Sequence, residues 1–198
     1  MKIRILNEQD AKTVRSAFVD TFVLDWPKYQ IDHQKFIKRW KIEKRHFDGM
    51  LMWGKMPTDF PSVSFREALA LLRGLSCEVL LLSEGPDYTY GDRHSLRLAG
   101  QEFPYFVAAM DACALADRIE YEWTESMRLM EESVRLMKDL CYLEDAAFPD
   151  DLYVCTPEMD RMLVFTHETE DYEAELAGDY IKQAESRVCI AYGFDTHE

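Results

Sequence analysis

The sequence predicts an α+β fold: a mainly antiparallel sheet of about five or six strands, helices packed on one face, and one long helix mid-chain. Three observations carry that expectation. Val79-Leu80-Leu81-Leu82 is an uncharged apolar run of strand length, as expected of a strand buried on both faces. Leu152 to Cys155 and Met162 to Phe165 are two β-rich runs joined by Thr156-Pro157-Glu158-Met159-Asp160-Arg161, which reads as a hairpin. Pro104 to Cys141 carries the longest helical periodicity in the chain. With 198 residues, 47% hydrophobic and 13% aromatic, there is material for one core. We therefore expect a single α+β domain over 1–198, with 1–48 as a helical N-terminal segment.

Each element has a local justification. Met1 to Leu6 alternates weakly and suits a short edge strand. Asn7 is a good helix cap, Glu8 and Asp10 complement the positive end of the helix dipole, and Val14, Ala17, Phe18, Thr21 and Phe22 keep the 3.6-residue period. That helix should run to about Val23, before Trp26-Pro27. Asp32 to Phe47 reads as a second helix and Met50 to Trp53 as a short strand, with a proline-containing turn to Pro61. Ser64-x-x-Glu67 is a capping box for a helix that buries Phe65, Leu69 and Leu72 and stops at Gly74. The strand Cys77 to Ser83 comes next, then a loop from Glu84 to Gln101 marked by Gly85-Pro86, Gly91-Asp92 and Gly100. In the long helix, Trp123, Met127, Met130, Val134, Met137 and Cys141 form a seam that suits core packing, a homodimer through it being less favoured. Helix over Glu173 to Ala184 and a strand over Arg187 to Ala191 complete the chain.

Charge separates the two ends. The formal net charge is −14, which disfavours generic binding to nucleic acid or an anionic membrane surface. Residues 1–48 hold 11 Lys and Arg against 7 Asp and Glu, a net of +4; residues 144–198 hold 3 against 15, a net of −12. The N-terminal eight residues meet charge too early for a secretory signal, and no uncharged apolar run approaches the roughly 20 residues that span a bilayer. Cys77, Cys113, Cys141, Cys155 and Cys189 form no C-x-x-C pair, so buried free thiols in a cytoplasmic setting are expected, with neither disulfides nor a zinc site. No G-x-G-x-x-G, P-loop, G-x-S-x-G or EF-hand pattern occurs, and no cofactor is expected.

Four segments compete as functional sites. Lys35, Lys38, Arg39, Lys41, Lys44 and Arg45, interleaved with Phe36 and Trp40, can bind phosphates or nucleic acid, but the acidic chain favours a solvated helix face, or one packed near the acidic C-terminal third of the same chain. The acidic tail, with Glu144, Asp145, Asp150, Asp151, Glu168, Glu170, Asp171, Glu173, Glu175 and Asp179, lacks the spacing that organises a calcium loop. A concentrated negative field can instead steer a cationic protein partner, or serve solubility alone. His167-Glu168 can act as an acid–base pair at a strand end, or simply bond at a sheet edge; H-E-x-x-H is not met because Asp171 holds the second His position. The loop after Ser83 brings Glu84, Asp87, Asp92, Arg93 and His94 together with Tyr88 and Tyr90. It leaves a buried strand, a common place for sites.

Asp151-Leu152-Tyr153-Val154, Asp160 and Met162-Leu163-Val164-Phe165-Thr166-His167-Glu168 together resemble a hairpin ending in Thr-His-Glu in small uncharacterised bacterial proteins of toxin-immunity type. The likeness covers about twenty residues. It implies a binding protein without catalysis, encoded for a cognate partner, and transfers no catalytic residue. The leading expectation is thus a non-enzymatic cytosolic protein whose acidic face binds a basic protein partner. Asp150, Glu168, Glu170, Asp171 and Glu173 would supply charge, and Tyr88 and Tyr90 anchors. The rival is a hydrolase, metal-assisted or not, using Glu84, Asp87, Asp92, His94 and His167.

Overall fold

The computed structural model describes residues 3–24, 53–82, 107–135 and 152–195, with positions 28 and 31 and the short pieces 97–98 and 101–102. Their strands are β1 (Arg4–Ile5), β2 (Ser62–Ser64), β3 (Glu78–Leu82), β4 (Arg97–Leu98), β5 (Gln101–Glu102), β6 (Ala108–Asp111), β7 (Leu152–Cys155), β8 (Met162–Thr169) and β9 (Arg187–Tyr192). Seven of these form one antiparallel sheet in the order β1-β6-β3-β7-β8-β9-β2, while β4 and β5 pair separately. Among the described residues the α-helices with defined bounds are α1 (Glu8–Phe22), α2 (Phe65–Gly74), α3 (Ala112–Arg135), α4 (Tyr172–Ala177) and α5 (Tyr180–Glu185). Of the described helices, none is long and apolar enough to cross a membrane.

Side chains alternate across a strand, so the apolar runs of β3, β7 and β8 feed two cores. Val79, Leu81, Leu152, Val154, Leu163 and Phe165 meet Phe65, Leu69 and Leu72 of α2 and Leu115 and Ile119 of α3. Leu80, Leu82, Tyr153, Cys155, Met162 and Val164 meet Phe18, Val19 and Phe22 of α1 on the other side. Burying each such side chain stabilises the fold by about 1.5–3 kcal/mol. The two cores explain why these strands contain almost nothing polar.

Capping fixes where the helices start. The Asn7 side chain accepts the Asp10 amide at 2.9 Å at the head of α1. At α2 both halves of the capping box form: the Glu67 amide donates to Ser64 Oγ at 3.3 Å, and the Ser64 amide to Glu67 Oε2 at 2.8 Å. Arg73 then ties α2 to α3 through Asp117 at 3.0 Å and Glu120 at 2.5 Å. On α1's face, the Trp53 amide donates to the Tyr153 hydroxyl at 3.2 Å, which satisfies a phenol that is otherwise fully enclosed.

The hairpin turn between β7 and β8 is locked from outside. Thr156 Oγ1 donates to Asp160 Oδ1 at 2.5 Å and accepts the Arg161 amide at 3.2 Å. Gly193, at φ 75°, lies so near that a Cβ there would stand 2.0 Å from the Asp160 carbonyl oxygen. Only glycine meets both conditions.

The fold class, the edge strand at the N-terminus, α1, α2, the strand ending at Leu82, the hairpin and the last strand agree with the sequence reading. Several details differ. Among the described residues the sheet has seven strands rather than five or six, and its second face is covered too, by α1. Ala108 to Asp111 falls inside the predicted helical stretch but forms β6, because pairing between β1 and β3 buries Ala108, Ala109 and Met110. Burial between strands outweighs the helix preference of alanine. Trp53 opens a 3-10 turn (Trp53–Lys55), and Met50 to Met52 of the predicted strand lie outside the described residues. The helix predicted over Glu173 to Ala184 is cut in two by Gly178, whose φ is 68°. Trp123 and Met127 of the seam pack within the chain: Met127 touches Ala184, and Trp123 Nε1 donates to the Ala184 carbonyl at 3.3 Å. The helix predicted over Asp32 to Phe47, and Met137 and Cys141 of the seam, lie outside the described residues, as do the side chains of Met130 and Val134.

Candidate functional site

The acidic tail leaves the sheet through an irregularity in β8. From Met162 to Phe165 this strand pairs residue for residue with β9, Phe165 facing Cys189. The next paired residues are Thr169 and Arg187, so β8 advances four positions while β9 advances two. The surplus residues break the ladder, and hydroxyls take over its bonds. Thr166 Oγ1 donates to the Val188 carbonyl at 2.7 Å and accepts the Glu168 amide at 3.2 Å. Thr169 and Ser186 share a hydroxyl hydrogen bond at 2.6 Å, and Thr169 Oγ1 accepts the Asp171 amide at 3.1 Å. Such bulges bend a strand and re-aim the chain beyond it.

Past the bulge the chain makes a two-helix excursion carrying most of the predicted acidic residues. Asp171 caps α4 by accepting the Ala174 amide at 2.8 Å, and Asp179 caps α5 by accepting the Lys182 amide at 3.2 Å. Between them Gly178, in the left-handed conformation, donates its N–H to the carbonyls of Ala174 and Glu175. The Ala174 carbonyl also accepts the Asp179 amide at 2.8 Å and Gln183 Nε2 at 3.2 Å, which binds α4 to α5. Six-residue helices are unstable alone, so these caps and cross-bonds hold the shape.

Ala174 is the residue of α4 that faces inward and is buried. At 100° per residue, Tyr172 and Leu176 point about 200° away from it, and so toward solvent. They are 65% and 72% exposed. Glu168, Glu170, Glu173 and Glu175 are exposed around them. Residues 168–179 contain six carboxylates and neither Lys nor Arg. Lys182 lies 3.9 Å from Asp179, a long and exposed ion pair of small energetic weight.

At the root of the excursion the charge is of another kind. Arg187 opens β9 almost fully buried, and Glu122 and Ser126 of α3 are buried as well, Glu122 paired with Arg118. Arg66 stacks over the Trp123 ring with its guanidinium carbon 5.6 Å from the centroid. Trp123 and Met127 hold α3 beside α5, and the carboxylates of the excursion stay outside.

Of the charged positions singled out in the sequence, Glu168, Glu170, Asp171 and Glu173 do come together. Asp171 plays a different part from the one expected, since one of its oxygens is committed to the α4 cap. Asp150, Tyr88, Tyr90, Glu84, Asp87, Asp92 and His94 lie outside the described residues; His167 lends its backbone to β8, and its side chain lies outside them. Tyr172 and Leu176 are the residues that sequence reasoning missed. Their signal was the i, i+4 spacing across Ala174, between the cap Asp171 and the stop Gly178. It is ambiguous because either face of such a helix can be turned inward, and here the small side chain is the buried one.

The thiols divide by position. Burial pushes Cys155 and Cys189 up to about 12, which keeps them protonated and unreactive at neutral pH. Burial raises the half-buried Cys77 as well, whereas Cys113 is exposed, contrary to the expectation of a buried thiol. No group of three or more His, Cys, Asp or Glu among the described residues is placed to hold a metal ion. Comparison with protein-family models, with curated proteins and with solved structures returned no match.

Proposed function

We propose that the protein is a non-enzymatic cytosolic binding protein that presents an acidic face to a basic protein partner, in the manner of an immunity or inhibitor protein. The observation that supports this reading is the capped excursion after β8, where Glu170, Glu173 and Glu175 are exposed and residues 170–179 contain neither Lys nor Arg. Like charges gathered in this way repel one another, weakly in salt and more strongly without it. A cationic partner relieves that repulsion, and the field speeds its arrival.

The test uses the full chain as bait for basic proteins from the host lysate, alongside the triple variant Glu170→Gln, Glu173→Gln, Glu175→Gln. These three residues are exposed and cap neither helix, so circular dichroism of the variant should match the parent. Proteins of high isoelectric point should be retained by the parent at low salt and released as salt rises, and the variant should hold at least tenfold less of them. Equal retention by both chains would overturn the reading.

A further inference from the structure

We infer that Tyr172 and Leu176 are the anchors of the acidic face, and that they receive a cationic amphipathic helix of a partner protein. The inference rests on the acidic-face reading and names the partner's chemistry. An acidic surface serving solubility alone has no use for large apolar side chains at its centre. Here the two most exposed large apolar residues among those described, at 72% and 65%, stand one helical turn apart on the same face of α4. Their separation along the axis is about 6 Å. An apolar stripe two turns long on a partner helix covers both, and exposed apolar surface with a polar rim marks interaction sites.

The rim chooses among possible occupants. Glu170, Glu173 and Glu175 surround the pair, so a covering helix must carry Lys or Arg beside its apolar stripe. A second copy of this chain would bring its own six carboxylates against these, on molecules that each carry −14. An anionic membrane surface is opposed on the same ground. Tyrosine suits the role of anchor because its ring offers a large contact with few rotatable bonds, and its face attracts a guanidinium.

Two fluorescent 14-residue peptides test this. One places Leu and Lys at amphipathic helical spacing; the control keeps every Lys and replaces each Leu with Gln. Anisotropy titrations at 150 mM NaCl should show the Leu peptide binding at least tenfold tighter than the control. The double variant Tyr172→Ala, Leu176→Ala should remove that advantage to within about threefold, leaving the control's affinity unchanged. The single variant Leu176→Gln should give a partial loss and serves if the double variant fails to fold. If the control binds, weakens in the Glu170/Glu173/Glu175→Gln triple variant, and the Leu peptide is no better, the anchor inference falls and the acidic-face reading stands. If removing three carboxylates changes neither affinity, both fall. A concentration-dependent dimer in sedimentation that vanishes in the double variant would assign the face to a second copy and overturn the inference.

Discussion

β8 and the helix α4 that follows it lie in opposite environments, and the contrast sets side chains that hold the fold together against the face we propose for a partner. From Met162 to Phe165 every side chain is enclosed, and two apolar layers converge on it from α1 on one side and from α2 and α3 on the other. Between Phe165 and Thr169 the ladder is interrupted, hydroxyl bonds bridge the gap, and beyond Thr169 the chain enters α4, where Tyr172 and Leu176 lie in solvent among carboxylates. Apolar side chains therefore mean different things a few residues apart. In the first part they hold the sheet together, while in the second Tyr172 and Leu176 lie in solvent and Ala174 is the buried one.

The sharpest way to break that contrast is at Phe165. Its ring is fully buried and meets the Phe65 ring edge-on with centroids 5.8 Å apart, while its neighbours in register are Leu152 and Cys189. Phe165→Ala should cost about 3–5 kcal/mol, the lost transfer energy plus a cavity that rigid strands cannot close. Urea denaturation would read this as a lowered midpoint. A loss under about 1 kcal/mol would mean that the two layers do not converge as described.

Gly193→Ala should come next, at about 3 kcal/mol. It forces an L side chain into the left-handed region and drives a methyl group onto the Asp160 carbonyl, 2.0 Å from the Cβ. Asp160 and Arg161, at the β8 end of the hairpin turn, would have to shift. An unchanged midpoint in the same urea experiment would show that the turn has room to move.

How much of this was legible beforehand depends on which residues signal by local chemistry. Asn7, and Ser64 with Glu67, announce their helices because a capping side chain must satisfy amides three residues on, a requirement confined to one turn. Val79 to Leu82 declares a doubly buried strand by having nothing polar to expose. Ala108 to Met110 could not declare β6, since alanine and methionine suit a helix in isolation and only the flanking strands make them a sheet. The acidic residues of the site could be grouped from charge alone. Its anchors could not, because Tyr172, Ala174 and Leu176 are all apolar and the side facing the core is set by packing against α5, which sequence spacing does not encode.

Leu176 gives the smallest effect and the most informative one. A buried leucine cut back to alanine costs roughly 2–5 kcal/mol, but this leucine is 72% exposed and has little surface to lose from contact with the protein. Alanine also has the better helix propensity, which helps a six-residue helix whose stability depends on its caps. Leu176→Ala should thus lie within about 0.5 kcal/mol of the parent in urea denaturation. A loss above about 1.5 kcal/mol would show that Leu176 is packed in solution, and the contrast with Phe165 would disappear. A near-zero change in stability, combined with a loss of preference for the Leu-bearing peptide, is the pattern of a side chain held at the surface for a partner rather than for the fold.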